Sequence, residues 1–263
     1  MKKCSKVCLV VAFYFIFFAF SSALFAQDSG LIPTQDFIKR DADPKKVTTT
    51  IEILVALTVL TLAPSILVMV TSFTRIVIVL SFVRRALATQ ELPPNPVIIG
   101  LSLIISFMVM APTVRAIRHD AIDPYTSEDP KLQISQKEAL SRSVGHLRIF
   151  MFKQTRLKDL RLFLDIQKAN GSLQKEVTTE EEVPTEVLIP AFAISELRRA
   201  FIMGFIIFLP FMIIDIVVST TLISMGMLVL PPILISLPFK ILLFILVDGW
   251  HLIVGSLVQS FNM

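Results

Sequence analysis

Residues 216–239 include no charged side chain, although a turn lies in the middle of that window. The turn reads Met225-Gly226-Met227-Leu228-Val229-Leu230-Pro231-Pro232 and joins two long apolar runs, residues 197–222 and 233–257. Soluble loops are polar because their backbone and side chains meet water. This one combines Met, Leu and Val with a glycine for backbone freedom and two prolines that cannot donate hydrogen bonds. A loop of that kind must bury itself against something. Two readings follow: a tight turn inside a helical hairpin, or a hydrophobic constriction in a conduit, built from methionines that deform and reseal.

Composition extends the same constraint to the whole chain. Of 263 residues, 54% are hydrophobic and only 17% charged, against about a quarter charged in average soluble domains. The mean hydropathy is +0.74. The apolar residues fall in contiguous blocks, which predicts an integral membrane protein rather than one large soluble core. A formal charge of +4 with scattered basic residues offers no nucleic-acid face.

Residues 1–26 read as a signal peptide. Lys2, Lys3 and Lys6 precede an apolar stretch and the small-residue exit Ser21-Ser22-Ala23-Leu24-Phe25-Ala26, with cleavage after Ala23 or after Ala26. An uncleaved first membrane helix is the alternative. Cys4 and Cys8 are the only cysteines and both lie in this segment. A mature chain would then have no disulfide, thiol nucleophile or thiolate metal site.

Residues 27–50 read as a flexible polar leader, with Thr48 to Thr50 positioned to cap a helix starting near Ile51. The apolar run 51–83 exceeds the roughly 20 residues a spanning helix needs, and Pro64 is placed to kink or divide it. Arg84, Arg85 and the elbow Pro93-Pro94-Asn95-Pro96 then form a basic, proline-rich tip at 84–96. Another apolar run closes a first helical hairpin, 51–114. Residues 115–187 alone look soluble, with balanced charge and two helical patterns. Ser135-Gln136-Lys137-Glu138 fits a capping box at the first, and Asn170-Gly171 a stop after the second. A second apolar hairpin, 188–263, carries the uncharged loop at 225–232; Ser195 is placed to cap its first helix. The fold class is all-α: membrane-associated hairpins of kinked apolar helices with a small helical extracytoplasmic insert.

Arg75, Asp215, Lys240 and Asp248 stand deep inside apolar runs as candidate interhelical partners. A lone arginine on a membrane helix costs roughly 2.5–3.5 kcal/mol on insertion scales, so such groups face protein or water and pair with one another. Structural pairing fits better than a proton relay, since no ladder of carboxylates or histidines appears. With a cleaved signal the Arg84–Arg85 loop is cytoplasmic and the insert external, in keeping with the positive-inside rule. His251 beside Trp250 reads as an interfacial anchor. The Walker loop, H-E-x-x-H and G-x-S-x-G motifs are missing. No enzyme, cofactor or metal site is expected.

Three stretches carry a resemblance. Thr71-Ser72-Phe73-Thr74-Arg75-Ile76-Val77-Ile78-Val79-Leu80-Ser81, Phe152-Lys153-Gln154-Thr155-Arg156, and the block from Ala191-Phe192-Ala193-Ile194-Ser195-Glu196-Leu197 to Phe261 resemble the FliP family of flagellar type III secretion export-gate subunits. The resemblance implies five copies in a ring with two other small hydrophobic subunits, of FliQ and FliR type. Larger export-apparatus and basal-body ring proteins and membrane lipid would surround it, and unfolded flagellar proteins would pass through. It places the chain in the bacterial inner membrane at the basal body, as a multi-pass protein with its signal peptide removed. It also implies that apolar runs become contacts between subunits, and that Met225, Gly226, Met227, Leu228, Val229, Pro231 and Pro232 form a gasket round the pore. Family members often carry three methionines in a row there, whereas Leu228 and Val229 follow Met227 in this chain. Injectisome gate subunits form the sister family; the signal peptide and long insert favour the flagellar branch. An autonomous small-solute transporter is the competing class, and it would show inverted repeats, of which the sequence has none.

Overall fold

A computed structural model of the chain describes residues 44–88, 92–127, 129, 133–171, 179–227 and 231–261, and every element among them is helical. The signal-peptide reading, most of the leader, and Leu228, Val229 and Leu230 lie outside the described residues. Two compact units divide the chain, Met1–Thr58 and Val59–Met263. In the first, the described residues form the opening of helix α1 (Pro44–Val70), with Ile53, Leu54, Val55 and Leu57 exposed. The helix starts at Pro44 rather than at a threonine cap near Ile51. Proline suits the first helical position because its missing N–H would have no helical partner there. Pro64 bends α1 without ending it; the break comes at Thr71-Ser72.

The second unit is built on α2 (Phe73–Ala86) and α3 (Asn95–Ile117), followed by a π turn at Arg118–Ile122 and the single turn Asp123–Tyr125. The insert supplies α4 (Gln136–Gln154) and α5 (Leu157–Ala169), and the last third supplies α6 (Thr185–Ser224), α7 (Pro232–Leu246) and α8 (Gly249–Gln259). α2 buries Ile76, Val79, Leu80, Val83 and Ala86, spaced to form one face of a helix. That face packs on α6 and α3. With Ile98, Ile105, Ala200, Phe211, Phe244, Ile253, Leu257 and Phe261 it makes the main core. Gly204 is where α2 and α6 approach: a Cβ there would lie 2.5 Å from the Phe82 ring.

The insert helices cluster Met151, Phe150, Phe152, Leu160, Phe163 and Leu164 around Val183, Val187, Leu188 and Phe192. Val187, Leu188 and Phe192 belong to α6, so the predicted boundary at 187–188 runs through a helix and through a shared core. α6 starts at Thr185, before Pro190, and Ser195 is interior and buried rather than a cap. Of its two interior prolines, Pro190 forfeits one backbone bond near the helix start, and burial of Val187, Leu188 and Ala191 offsets it. The capping box at Ser135 forms by half. Ser135 Oγ accepts the Glu138 N–H at 3.2 Å, while the Glu138 carboxylate accepts from Arg142 at 2.6 Å instead of turning back. Asn170 and Gly171 (φ +70°) end α5 as expected.

Among the described residues, two helical stretches are long and apolar enough to cross a membrane, Asn95–Tyr125 and Thr185–Ser224; the halves of α1, and α7 with α8, raise this to four if each bent pair is one span. At ~1.5 Å per residue, α6 is about 60 Å long, twice the hydrocarbon thickness. α7 and α8 meet at a 63° bend, where Asp248 takes a left-handed conformation (φ 48°).

Candidate functional site: two buried ionic centres and an apolar turn

Arg75 is fully buried at the start of α2, and its five N–H donors all find acceptors. Nε donates to Glu196 Oε2 at 2.7 Å and one Nη2 hydrogen to Glu196 Oε1, a bidentate fork on a carboxylate that is itself fully buried. The other Nη2 hydrogen goes to Gln154 Oε1 at 3.0 Å. Nη1 donates to the Ser260 carbonyl at 3.1 Å and to Ser260 Oγ at 2.9 Å. The guanidinium carbon lies 3.8 Å from the centre of the Phe261 ring. Gln154 accepts a second bond from Arg199 at 2.7 Å and donates to the Phe261 carbonyl at 3.0 Å. A buried polar network is stable only when every member is satisfied. This one is, and it ties α2, the end of α4, α6 and the segment after α8 together.

Beside it, Ser195 Oγ donates to Asp159 Oδ2 at 2.6 Å and accepts the Arg156 N–H at 3.1 Å. The adjacent residues Ser195 and Glu196 thus hold α5 and α2 respectively. The centre fixes the relative positions of these helices.

The second centre joins α6 to α7. Lys240 Nζ meets Asp215 Oδ2 at 2.6 Å, and Ser236 Oγ donates to Asp215 Oδ1 at 2.6 Å. Ser236 and Lys240 are one turn apart on α7, so both reach a single carboxylate. Lys240 is almost wholly buried, whereas a third of the Asp215 side chain is open. Asp215 thus pairs with Lys240, and Arg75 pairs with Glu196, which sequence reading had not singled out. Asp248 joins neither centre: it is exposed at the α7–α8 bend.

The turn sits ~13 Å beyond Asp215 along α6. Gly226 (φ +74°) ends that helix: its N–H bonds to the Ile223 carbonyl at 3.0 Å, and the Met227 N–H to the Leu222 carbonyl at 3.0 Å. This is a Schellman stop with glycine at its left-handed position. Pro231 then caps α7 and Pro232 opens it. Met225 is 68% and Met227 41% exposed, so the turn offers thioether side chains outward instead of burying them in its own hairpin.

The exposed apolar surface continues down α6 through Phe201, Phe205, Ile213 and Ile216 and along α7 through Ile233, Leu242 and Ile245. Residues 56–257 match the FliP family profile. The chain belongs to the FliP family. The flagellar biosynthetic protein FliP of Bacillus subtilis is 51% identical over 220 residues, covering 84% of this chain and 96% of that protein. The FliP of Borreliella burgdorferi is 40% identical over 269 residues, covering 99% of this chain and all of that one. The FliP of Aquifex aeolicus is 48% identical over 212 residues, or 81% of this chain and 86% of its own length. The FliP match takes in α2 through most of α8, and with them Arg75, Glu196, Asp215, Lys240 and the turn.

Proposed function

We propose that this chain is a non-enzymatic, pore-forming subunit of the flagellar type III protein export gate. Five copies join two other small hydrophobic subunits, of FliQ and FliR type, in the bacterial inner membrane at the basal body. Unfolded flagellar proteins pass through, and the apolar turn closes the path between passages. One observation carries the reading: a turn between two apolar helices exposes Met225 and Met227 although no polar loop chemistry accompanies them. Exposed thioethers on a rigid hairpin suit a deformable seal made by several copies. The Asp215–Lys240 centre ties α6 to α7 below the turn, which leaves the turn itself as the part free to deform. The flagellar assignment, over the injectisome one, is supported by the relatives above, all flagellar biosynthetic proteins.

The test is the native mass of the detergent-extracted complex after co-expression with both partner subunits. An assembly containing five copies of this chain is expected; a functional monomer or symmetric dimer would overturn the reading. Sealing is tested separately by membrane conductance of the assembled complex. Met227→Asp is expected to make the closed gate leak small ions, and unchanged conductance would remove the turn from the seal.

A further inference from the structure

Two stretches of chain link the ionic centres, and each contains a weak point in its backbone. α6 carries Glu196 of the first centre and Asp215 of the second, with Pro210 between them. The return path carries Lys240 on α7 and Ser260 after α8, with the 63° bend at Asp248 between them. Proline has no N–H, so the Ile206 carbonyl lacks its helical bond from residue 210. Asp248 turns the chain in the left-handed region (φ 48°), which aspartate visits at less cost than most residues.

The two weak points lie side by side. Lys240 pairs with Asp215, and one turn nearer the bend Phe244 meets Phe211, with ring centres 6.4 Å apart. The Phe244 ring also meets Trp250 edge-on at 5.4 Å. A Cβ on Gly249 would lie 2.4 Å from that ring, so glycine is what lets α8 come this close. One buried ring therefore touches α6 and α8 as well as its own helix.

The support of α2 ends at the same level. It runs beside α6 from the Arg75–Glu196 pair to Phe82, which meets Phe201 and Gly204, and stops one turn later at Ala86. Beyond Pro210, the buried residues of α6 are Phe211 and Leu222. α7 packs on α6 and meets α8 at the bend.

Pro238 makes a similar gap within α7, but Ser236 and Lys240 stand on either side of it and both bond Asp215. That brace pins α7 across its proline. Residues 205–214 contain no polar side chain that could brace Pro210 in this way.

We infer that residues 211–224 of α6 and the whole of α7 form one rigid arm, hinged at Pro210 and Asp248, that swings the apolar turn as a unit. The purpose of the swing, opening the gate, rests on the export-gate reading. At ~1.5 Å per residue Met225 lies about 22 Å beyond Pro210, so a swing of about 10° displaces it by roughly 4 Å. Made by five copies together, that movement widens the ring while the Asp215–Lys240 centre stays intact.

The complex with its partner subunits is spin-labelled at one cysteine per copy, after Cys4 and Cys8 are replaced by serine. Ile223→Cys labels the arm and Ile202→Cys the base; both positions are exposed. Distances between copies are read by pulsed electron resonance, in the idle complex and with an export substrate stalled by a folded fusion partner. Adjacent Ile223→Cys labels are expected to part by about 5 Å on stalling, and Ile202→Cys labels to keep their spacing. Pro210→Ala, which restores a backbone bond in the straight helix, is expected to shrink the arm's displacement and to lower export about fivefold. Pro210→Gly is expected to keep most of both, and Pro238→Ala to leave the displacement unchanged. Copy number is measured on the same samples. A complex without five copies overturns the export-gate reading and the hinge's purpose with it, whereas five copies whose Ile223→Cys labels do not part overturn the hinge alone. Equal movement at both labels also overturns it, since the chain would then move as a whole. So does full displacement in Pro210→Ala. Should Pro210→Ala not assemble, the comparison of arm and base labels with Pro210 in place still decides.

Discussion

Arg75 shows how one residue can specify a joint. A guanidinium presents five donors in a fixed fork, and here each has its own acceptor. Lysine has three donors and no fork. Arg75→Lys is expected to lower stability by roughly 3 kcal/mol, read as thermal melting of the detergent-extracted chain. A loss under about 1 kcal/mol would mean that the network is slack. At the second centre, Lys240→Met leaves Asp215 without its cation, and Asp215→Leu leaves a buried ammonium. Each is expected to cost more alone than the two together, because removing one partner strands the other charge whereas removing both leaves an apolar contact. A double-mutant cycle on melting temperature checks this, and simple additivity would show that the pair is uncoupled. The presence of buried charges was legible from the sequence, since Arg75, Asp215 and Lys240 interrupt apolar runs. The pairing of Arg75 was not. Glu196 sits in Ser195-Glu196-Leu197-Arg198-Arg199, which reads as a polar helix start, and only the fold reveals that the helix had begun ten residues earlier.

At the scale of elements, hydrophobic periodicity located α4, α5 and both ends of the apolar turn, because caps, stops and prolines act locally. It could not locate breaks caused by packing. The interruption at Thr71-Ser72 falls where Ser72 Oγ and Ser106 Oγ come within 2.9 Å, a contact between residues far apart in the chain. Gly204 is a similar case: no spacing of glycines pointed to it, yet it lets α2 and α6 meet. Gly204→Ala is expected to destabilise by about 1–3 kcal/mol through overpacking against Phe82. Phe82→Leu in the same chain is expected to recover part of the loss in the same melting assay; no recovery would mean that the clash relaxes elsewhere. Gly226→Ala is expected to cost about 1–2 kcal/mol, since a β-carbon disfavours the left-handed stop. Its effect should appear in hydrogen exchange at the end of α6 while Arg75 and its neighbours stay protected.

At the scale of the whole molecule, the single chain leaves much apolar surface uncovered, above all on α6 and α7. Membrane lipid and neighbouring subunits are the covers proposed above, and the amino-acid pattern alone did not apportion that surface between them. An apolar run reads the same whether it faces a lipid tail or another protein. What the fold adds is the placement of the fixed points. Both ionic centres tie helices within the chain, whereas among the described residues Met225 and Met227 of the turn and the outer faces of α6 and α7 are exposed.

Arg75 and Ser260 are 185 residues apart in the chain, and that separation sets an order of events. While the chain is still emerging from the ribosome, the guanidinium on α2 lacks the two oxygens of Ser260, and the Gln154 amide lacks the Phe261 carbonyl. The joint therefore cannot lock until the segment after α8 has packed against α2 and the end of α4. A chain cut before Ser260 keeps the Glu196 fork on Arg75 but leaves both Nη1 hydrogens without their acceptors. The same knot that stiffens the folded subunit is thus closed by those of its residues that stand furthest from Arg75 in the chain.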